Sequence, residues 1–329
     1  MTITYFFRRK NIFFSIERVF NSIIRTFDND VKTKSIYVLY DRITFINLIK
    51  NIFFCYKNKG KINHITGDIY YSIFGLPSHS TILTFHDLGL ITNNRGIKRK
   101  ILWLIWYYLP VKKAKHITCI SNFTKEQLIK HTKCPSNKIT VIYNPIGEDF
   151  IYAPGNFNIK KPTILQIGTR ENKNLERVIR ALSSVSCHLR IIGNLTNLQV
   201  DLLNEYSIDY SNVYNLTDKE IVSEYIQSDI VSFPSLYEGF GMPIIESQAI
   251  GRVVLTSSIE PLVEVSNNGA YIVDPLNENS IRNGFIELIN DSSLRKHLIQ
   301  KGLENVKNYA PTKIAKEYYE LYKSLEKNS

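Results

Sequence analysis

Two carboxylates, Glu238 and Glu246, bracket the stretch EGFGMPIIE. The run before it, Asp229 to Ser235, reads as a short buried strand, and Glu238, Gly239 and Gly241 as a glycine-rich loop. Pro243 suits a helix start, where a missing N–H costs nothing. A helix start presents unpaired N–H groups and a positive dipole end, which together attract an anion. Glu238 is expected in the loop and Glu246 in the first helical turn, reaching one cleft from different depths. Carboxylates beside an anion site suit a ligand with both phosphates and hydroxyls, such as a nucleotide sugar. A plain strand–turn–helix crossover is the other reading.

A second set of residues follows the strand TILQIG, which ends at Gly168 and continues TRENKN. A glycine there lets the backbone approach a ligand, and Lys173 can neutralise a diphosphate. A solvated N-terminal lysine is the other reading of Lys173, and Arg170 is as readily a solvated cation. The strand TILTFHDLG puts His86 and Asp87 at its carboxyl end, either facing a cleft or capping a turn. His64, in KINHITGD, is a weaker candidate for the same role, and Ser121 reads as a helix N-cap. Asp28-Asn29-Asp30 has the spacing of a metal-binding DxD, but its surroundings read as a turn. No GxGxxG follows the first strand, and no Walker loop or HExxH is present.

These residues need strands and helices to hold them. The first half alternates strand-like runs with helical periods. The strands are Ile3–Phe7, Ser35–Tyr40, Asn63–Thr66, Thr81–His86, His116–Ile120 and Thr140–Tyr143; the helices are Ile12–Phe27, Phe45–Tyr56, Ile97–Tyr108 and Thr124–His131. The second half repeats the pattern with strands Thr163–Ile167, His188–Ile192, Val213–Leu216, Ile230–Phe233, Val253–Ser257 and Tyr271–Val273. Thr217 and Glu220 form a capping box. Two rounds of alternation predict an α/β protein with two doubly wound Rossmann-like domains facing across a cleft. The first would span 1–148 and the second 163–310. The turn-rich segment 149–162 reads as a linker.

The chain has 329 residues, enough for two domains, and 44% hydrophobic residues, enough for full cores. Its net charge of +11 is uneven. Residues 1–150 hold 23 Lys and Arg against 9 Asp and Glu; the remainder holds 18 against 21. A basic half could meet nucleic acid, anionic lipid or an acidic glycan, or be a solvated surface. Cys55, Cys119, Cys134 and Cys187 show no paired or metal-ligand spacing, which suits reduced thiols in the cytoplasm. No signal peptide is evident, and the longest apolar run, Ile101 to Val111, is too short to cross a bilayer. Lys98-Arg99-Lys100 precede it, and Lys112, Lys113 and Lys115 end it or follow it. With Trp103, Trp106, Tyr107 and Tyr108 between them, it suits either a helix in the headgroup layer or a core helix with a basic edge.

The EGFGMPIIE stretch resembles the E-x7-E signature of retaining glycosyltransferases of family 4, which have the GT-B fold. The loop from Gly168 to Lys173 and Asn174 resembles that family's G-x-x-x-x-K-N loop. The resemblance implies that Gly168, Lys173 and Asn174 bind the donor pyrophosphate. It also implies that Glu246 binds the donor ribose, and that Glu238 contacts the transferred sugar. The backbone of Phe240, Gly241 and Met242 would line the sugar and phosphate site. It places a contacting histidine at His86, and returns the last helix, 311–329, to the first domain. Two departures stand out. Thr169 occupies a position where many members carry arginine, with Arg170 next along. The first βα turn reads Arg8-Arg9-Lys10 instead of a glycine pair, which suits an anionic acceptor.

The expected activity is transfer of a hexose, with retention, from a nucleoside diphosphate sugar to a glycan or lipid-linked acceptor hydroxyl. The setting would be cell-surface polysaccharide or lipopolysaccharide synthesis at the inner membrane face. No metal or other cofactor is expected, and no nucleic acid. The rivals are a nucleotide-sugar epimerase of the same fold and a basic nucleic-acid-binding protein.

Overall fold

The computed structural model describes residues 1–10, 15–28, 30–92 and 95–327. They divide into two compact units, 1–145 with 310–329, and 146–309. Each is built on a six-stranded sheet, parallel throughout.

In the first unit the strands are β1 (Thr2–Phe7), β2 (Lys32–Tyr37), β3 (Ile62–Ile65), β4 (Thr81–Phe85), β5 (His116–Cys119) and β6 (Ile139–Val141). Their order is β2-β1-β3-β4-β5-β6. The order reverses beside β1, so the crevice of a doubly wound sheet lies at the carboxyl ends of β1 and β3. β1, β3 and β4 are buried along almost their whole length, as strands covered on both faces must be. Helix α1 (Ser15–Thr26) and the final helix, Pro311–Lys327, cover one face. Phe20, Ile23, Ile314, Tyr318 and Tyr322 pack there with Ile3 and Tyr5. Helix α2 (Phe45–Lys57), the 3-10 turn Tyr70–Gly75 and a helical run through Trp106 and Val111 cover the other. Residues 12–14 of the expected helix Ile12–Phe27, and Asn29 of the Asp28–Asp30 turn, lie outside the described residues.

In the second unit the strands are β7 (Thr163–Ile167), β8 (His188–Ile192), β9 (Tyr210–Val213), β10 (Ile230–Phe233), β11 (Val253–Ser257) and β12 (Tyr271–Val273). Their order, β12-β11-β10-β7-β8-β9, puts the reversal at β7 and β10. Residues 149–162 belong to this unit rather than lying free as a linker. Asp229 accepts hydrogen bonds from the amides of Asn158 and Thr163, and Arg252 donates to the carbonyl of Ala153.

Two strands differ from expectation by three residues. β2 starts at Lys32 instead of Ser35, and β9 starts at Tyr210 instead of Val213. Both are edge strands. Half of their ladder faces solvent, so polar residues enter and the apolar pattern misplaces their start.

Candidate functional site

The second sheet's carboxyl edge is stitched by the loop after β7. The amide of Leu236 donates to the carbonyl of Asn172, and Asn172 Nδ2 donates to Tyr237 O at 3.1 Å and to Glu238 Oε1 at 3.3 Å. Lys173 Nζ meets Glu238 Oε1 at 2.5 Å and lies 4.7 Å from the centre of the Phe233 ring. Both partners of this ion pair are largely but not fully buried, 21% and 15% exposed, so a ligand can still reach them. Gln166 holds the turn from below, donating to the carbonyl of Lys173 and accepting from Ser232.

Gly168 makes this arrangement possible. Its φ is +87°, and a Cβ there would lie 2.8 Å from Lys173 Cγ. Only a residue without a Cβ lets the lysine stem run along the strand end. Thr169 turns inward, and its hydroxyl donates to the carbonyl of Asn194 at 2.6 Å, tying the loop after β8 to the loop after β7. The residue that departs from the family pattern is therefore a structural brace. Arg170 beside it is exposed and has no ion-pair partner among the described residues.

Asn174 was expected to bind a donor; here its side chain is otherwise engaged. It is buried and left-handed, with φ +62°. Nδ2 donates to the carbonyls of Pro234 and Pro275 at 2.9 and 2.7 Å, and Oδ1 accepts from Arg177. Asn174 clamps the loops after β10 and β12 and holds Lys173 in place.

The helix after the glycine loop spans Met242–Ile250. Gly241 caps it with φ +106°, where a Cβ would meet Leu262 Cδ2 at 2.6 Å. Pro243 sits in its opening turn, Phe240 is buried edge-on against Tyr309, and Met242 is half-buried. Glu246 lies one turn deeper than expected, fifth in the helix. Its Oε2 accepts from the hydroxyl of Tyr225 at 2.5 Å. Tyr225 is fully buried, and its phenol is pushed well above its ordinary value, first by burial and then by the Glu246 charge. Reading the sequence missed Tyr225. The available signal was its place at the end of the helix Asp218–Gln227, whose Thr217–Glu220 capping box is present.

In the first unit, His86 closes β4 at the carboxyl edge. Its Nε2 lies 2.7 Å from the carbonyl of Thr66. A carbonyl only accepts, so Nε2 carries the proton and the neutral ring leaves Nδ1 as an acceptor. Burial pushes its pKa down to about 4, against the Thr66 bond. Asp87 turns back to the amide of Gly89, and burial raises its carboxyl. The basic turn is mostly neutralised from within. Arg8 pairs with Glu17 at 2.9 Å and Asp68 at 3.1 Å, and Arg9 pairs with Asp41 at 2.8 Å. Little of that charge is left to attract an anionic acceptor.

His64 bonds Tyr322 Oη and Thr84 Oγ1, both at 2.6 Å, and ties the last helix to the sheet. Ser121 caps the helix Asn122–Thr132 through the amide of Thr124. Trp106 and Tyr107 are core residues, and the indoles of Trp103 and Trp106 donate to the carbonyls of His131 and Asp68. Trp106 and Tyr107 thus pack one face of that segment into the core, while Ile97, Ile101, Leu104 and Leu109 stay exposed beside its basic ends. Among the described residues, no cluster of three or more His, Cys, Asp or Glu could hold a metal. No described helix is long and apolar enough to cross a membrane.

Two parallel six-stranded sheets, each with loops at its carboxyl edge, define a two-domain α/β protein of the GT-B fold. The family model described as glycosyl transferases group 1 matches residues 148–305, and that described as glycosyltransferase family 4 matches residues 68–150. Both matched models describe glycosyltransferases, and the group 1 match spans nearly all of the second unit. An O-antigen chain mannosyltransferase of Salmonella typhimurium is 28% identical over 207 residues, covering 60% of this chain and 58% of the relative, so the match spans little over half of that protein. A sucrose-phosphate synthase of Thermosynechococcus elongatus superposes with a TM-score of 0.80 at 16% identity, over 100% of both chains. The Anabaena protein HepE, solved with UDP and glucose, does so with a TM-score of 0.79 at 11% identity, over 98% of this chain and 100% of the other.

Proposed function

We propose that this protein transfers a hexose from a nucleoside diphosphate sugar to the hydroxyl of a glycan or lipid-linked acceptor, with retention at the anomeric carbon. The observation that carries this reading is the Lys173–Glu238 pair held over Gly168, where the second sheet reverses. A diphosphate arriving there would take the ammonium from Glu238. Glu238 would then be free to accept from the sugar hydroxyls. Lys173 and the start of the helix Met242–Ile250 would stabilise charge on the leaving diphosphate, the largest contribution available to such a site. This makes the transfer metal-independent. Arg170 would add a second cation, and Glu246 would bind the ribose. His86, neutral and presenting Nδ1, would accept from a hydroxyl of the sugar or acceptor.

The relative that makes O-antigen chains and the neighbour solved with UDP and glucose support a nucleotide-sugar donor and a cell-surface polysaccharide or lipopolysaccharide product. That setting implies work at the cytoplasmic face of an anionic membrane. Neither rival reading is favoured by any contact in the site. The test is a thermal-shift and calorimetric screen of UDP-, GDP-, ADP- and TDP-sugars. One of them should raise Tm and support transfer with chelator present. No stabilisation by any of the four would overturn the reading. Loss of activity with chelator would end the metal-free mechanism, and an inverted anomeric proton coupling in the product would end retention.

A further inference from the structure

Helix α2 is apolar on both sides. Its inner side packs Leu48, Ile52 and Cys55 onto the core. Gly75 abuts it so closely that a Cβ there would lie 2.3 Å from the carbonyl oxygen of Ile52. Its outer side follows helical spacing through Ile46, Ile49, Phe53 and Tyr56, with Phe45 in the first turn. These are exposed by 63%, 49%, 54%, 51% and 78%. A surface helix ordinarily carries polar residues there. Ile43 and Phe74 extend the patch, Phe74 preceding the glycine that abuts α2.

Cations rim this apolar face. Residues 42–61 contain Arg42, Lys50, Lys57, Lys59 and Lys61 and no Asp or Glu. Lys57 Nζ lies 4.6 Å over the Phe53 ring and Lys59 Nζ 4.0 Å over that of Tyr56. Lys113 donates to the carbonyl of Phe74. We propose that the outer face of α2 is the seat of an anionic lipid surface, with Phe45, Ile46, Ile49 and Phe53 entering the headgroup boundary and the lysines meeting lipid phosphates. The inference rests on the reading of this protein as an enzyme working at an anionic membrane, and it moves the contact from the 98–115 segment to α2. Charge selects the occupant. A second copy would set like charges against each other, whereas an anionic bilayer matches both the apolar stripe and its rim.

The test is flotation of the full chain with vesicles of phosphatidylglycerol mixed with phosphatidylcholine, and with phosphatidylcholine alone. The expected result is salt-sensitive binding to the first only. Ile46→Ser with Phe53→Ser should lower it about tenfold or more, as each buried methylene lost weakens insertion. Charge reversal of Lys98 and Lys100 should lower it much less. Phe53→Trp should retain binding and be quenched by brominated lipid. Because all these side chains are exposed, Tm and nucleotide-sugar binding should stay as in the parent. Parent-like flotation of the Ile46/Phe53 variant, or a Trp at 53 that bromine does not quench, would overturn the assignment to α2. Absence of vesicle binding by the parent would overturn the membrane reading itself. A dimer that the same two substitutions dissolve, without lipid binding, would show that a second copy covers this face.

Discussion

The two sheets end differently at the edges where doubly wound folds bind ligands. In the second unit, glycines at φ +87° and +106° bring the backbone forward at Gly168 and Gly241, and a single ion pair, Lys173–Glu238, stands over them. In the first unit, charged side chains fill the edge. Arg8 is locked between Glu17 and Asp68, and His86 is buried against Thr66. Backbone N–H groups and a lysine serve any diphosphate. A network of side chains fits one partner. On the function proposed above, the second edge would take the part of a substrate that a whole family shares, and the first the part that varies.

The largest effect expected from this contrast is on acid stability, and it belongs to the first unit. Burial holds His64 down to about 3, far below its ordinary 6.5, among Tyr5, Tyr318, Tyr322 and Thr84. The unfolded chain binds that proton and the folded chain does not, so stability is complete above about pH 6.5 and falls as pH drops toward 3. From about pH 6.5 to 4 the loss should be roughly 2–4 kcal/mol. His86, held down to about 4, acts in the same direction, and the raised carboxyls of Asp68 and Asp87 oppose it. Comparing Tm against pH for the parent and His64→Gln isolates the imidazole. Superimposable profiles would show that His64 is not held neutral by burial.

Next comes a split between binding and turnover. Lys173→Ala and Glu246→Ala should each weaken nucleotide-sugar affinity by roughly ten- to hundredfold, the range for losing a charged hydrogen-bond partner of about 1.5–3 kcal/mol. Glu238→Ala and His86→Ala should lower turnover more than affinity, because the contacts proposed for them are to the reacting sugar or acceptor. Calorimetry beside initial rates separates the two. Unchanged affinity in both Lys173→Ala and Glu246→Ala would remove the donor site, and full turnover in His86→Ala would leave the histidine a structural cap.

Gly168→Ala should have a smaller effect. The new methyl meets the Lys173 stem at a backbone angle that L side chains rarely adopt. A left-handed residue costs about 1–2 kcal/mol. Stability should fall by that amount, and affinity with it, because the lysine must shift. A Gly168→Ala protein with normal Tm and affinity would show that the loop has room to spare.

How much of this could be read from the sequence follows the same contrast. Five strands of the second unit match their expected bounds, and Ile230–Phe233 and Val253–Ser257 do so as short apolar runs buried on both faces. The edge strands β2 and β9 do not, since half their ladder faces water. Gly168, Lys173, Glu238 and Gly241 are legible because spacing along one chain sets their relation. Arg8 with Asp68, and the neutralisation of the basic turn, are not legible, because residues 60 apart meet only through the order of strands β1 and β3. The aromatic segment around Trp106 was ambiguous for a related reason. Composition cannot say which side of a helix the core will take, and the core took Trp106 and left Phe45 and Phe53 of α2 exposed.

Tyr225 gives the mildest test and the one that reaches furthest into the donor edge. Its hydroxyl donates to Glu246 Oε2, and Phe150 packs edge-on against its ring. The bond helps to set the direction of the Glu246 carboxylate, so Tyr225 is a positioning residue. Tyr225→Phe keeps the ring and its packing and removes only the oxygen. Affinity for the nucleotide sugar should fall by a few-fold to tenfold, about 1 kcal/mol, with kcat nearly unchanged, because the ribose is held equally in ground and transition states. A merely structural tyrosine would lower Tm and leave KM alone. The reverse pattern, a raised KM at constant Tm, is the signature expected here. If KM does not move while Tm falls, Glu246 is oriented by its own helix, and the second edge depends on backbone and Lys173 alone.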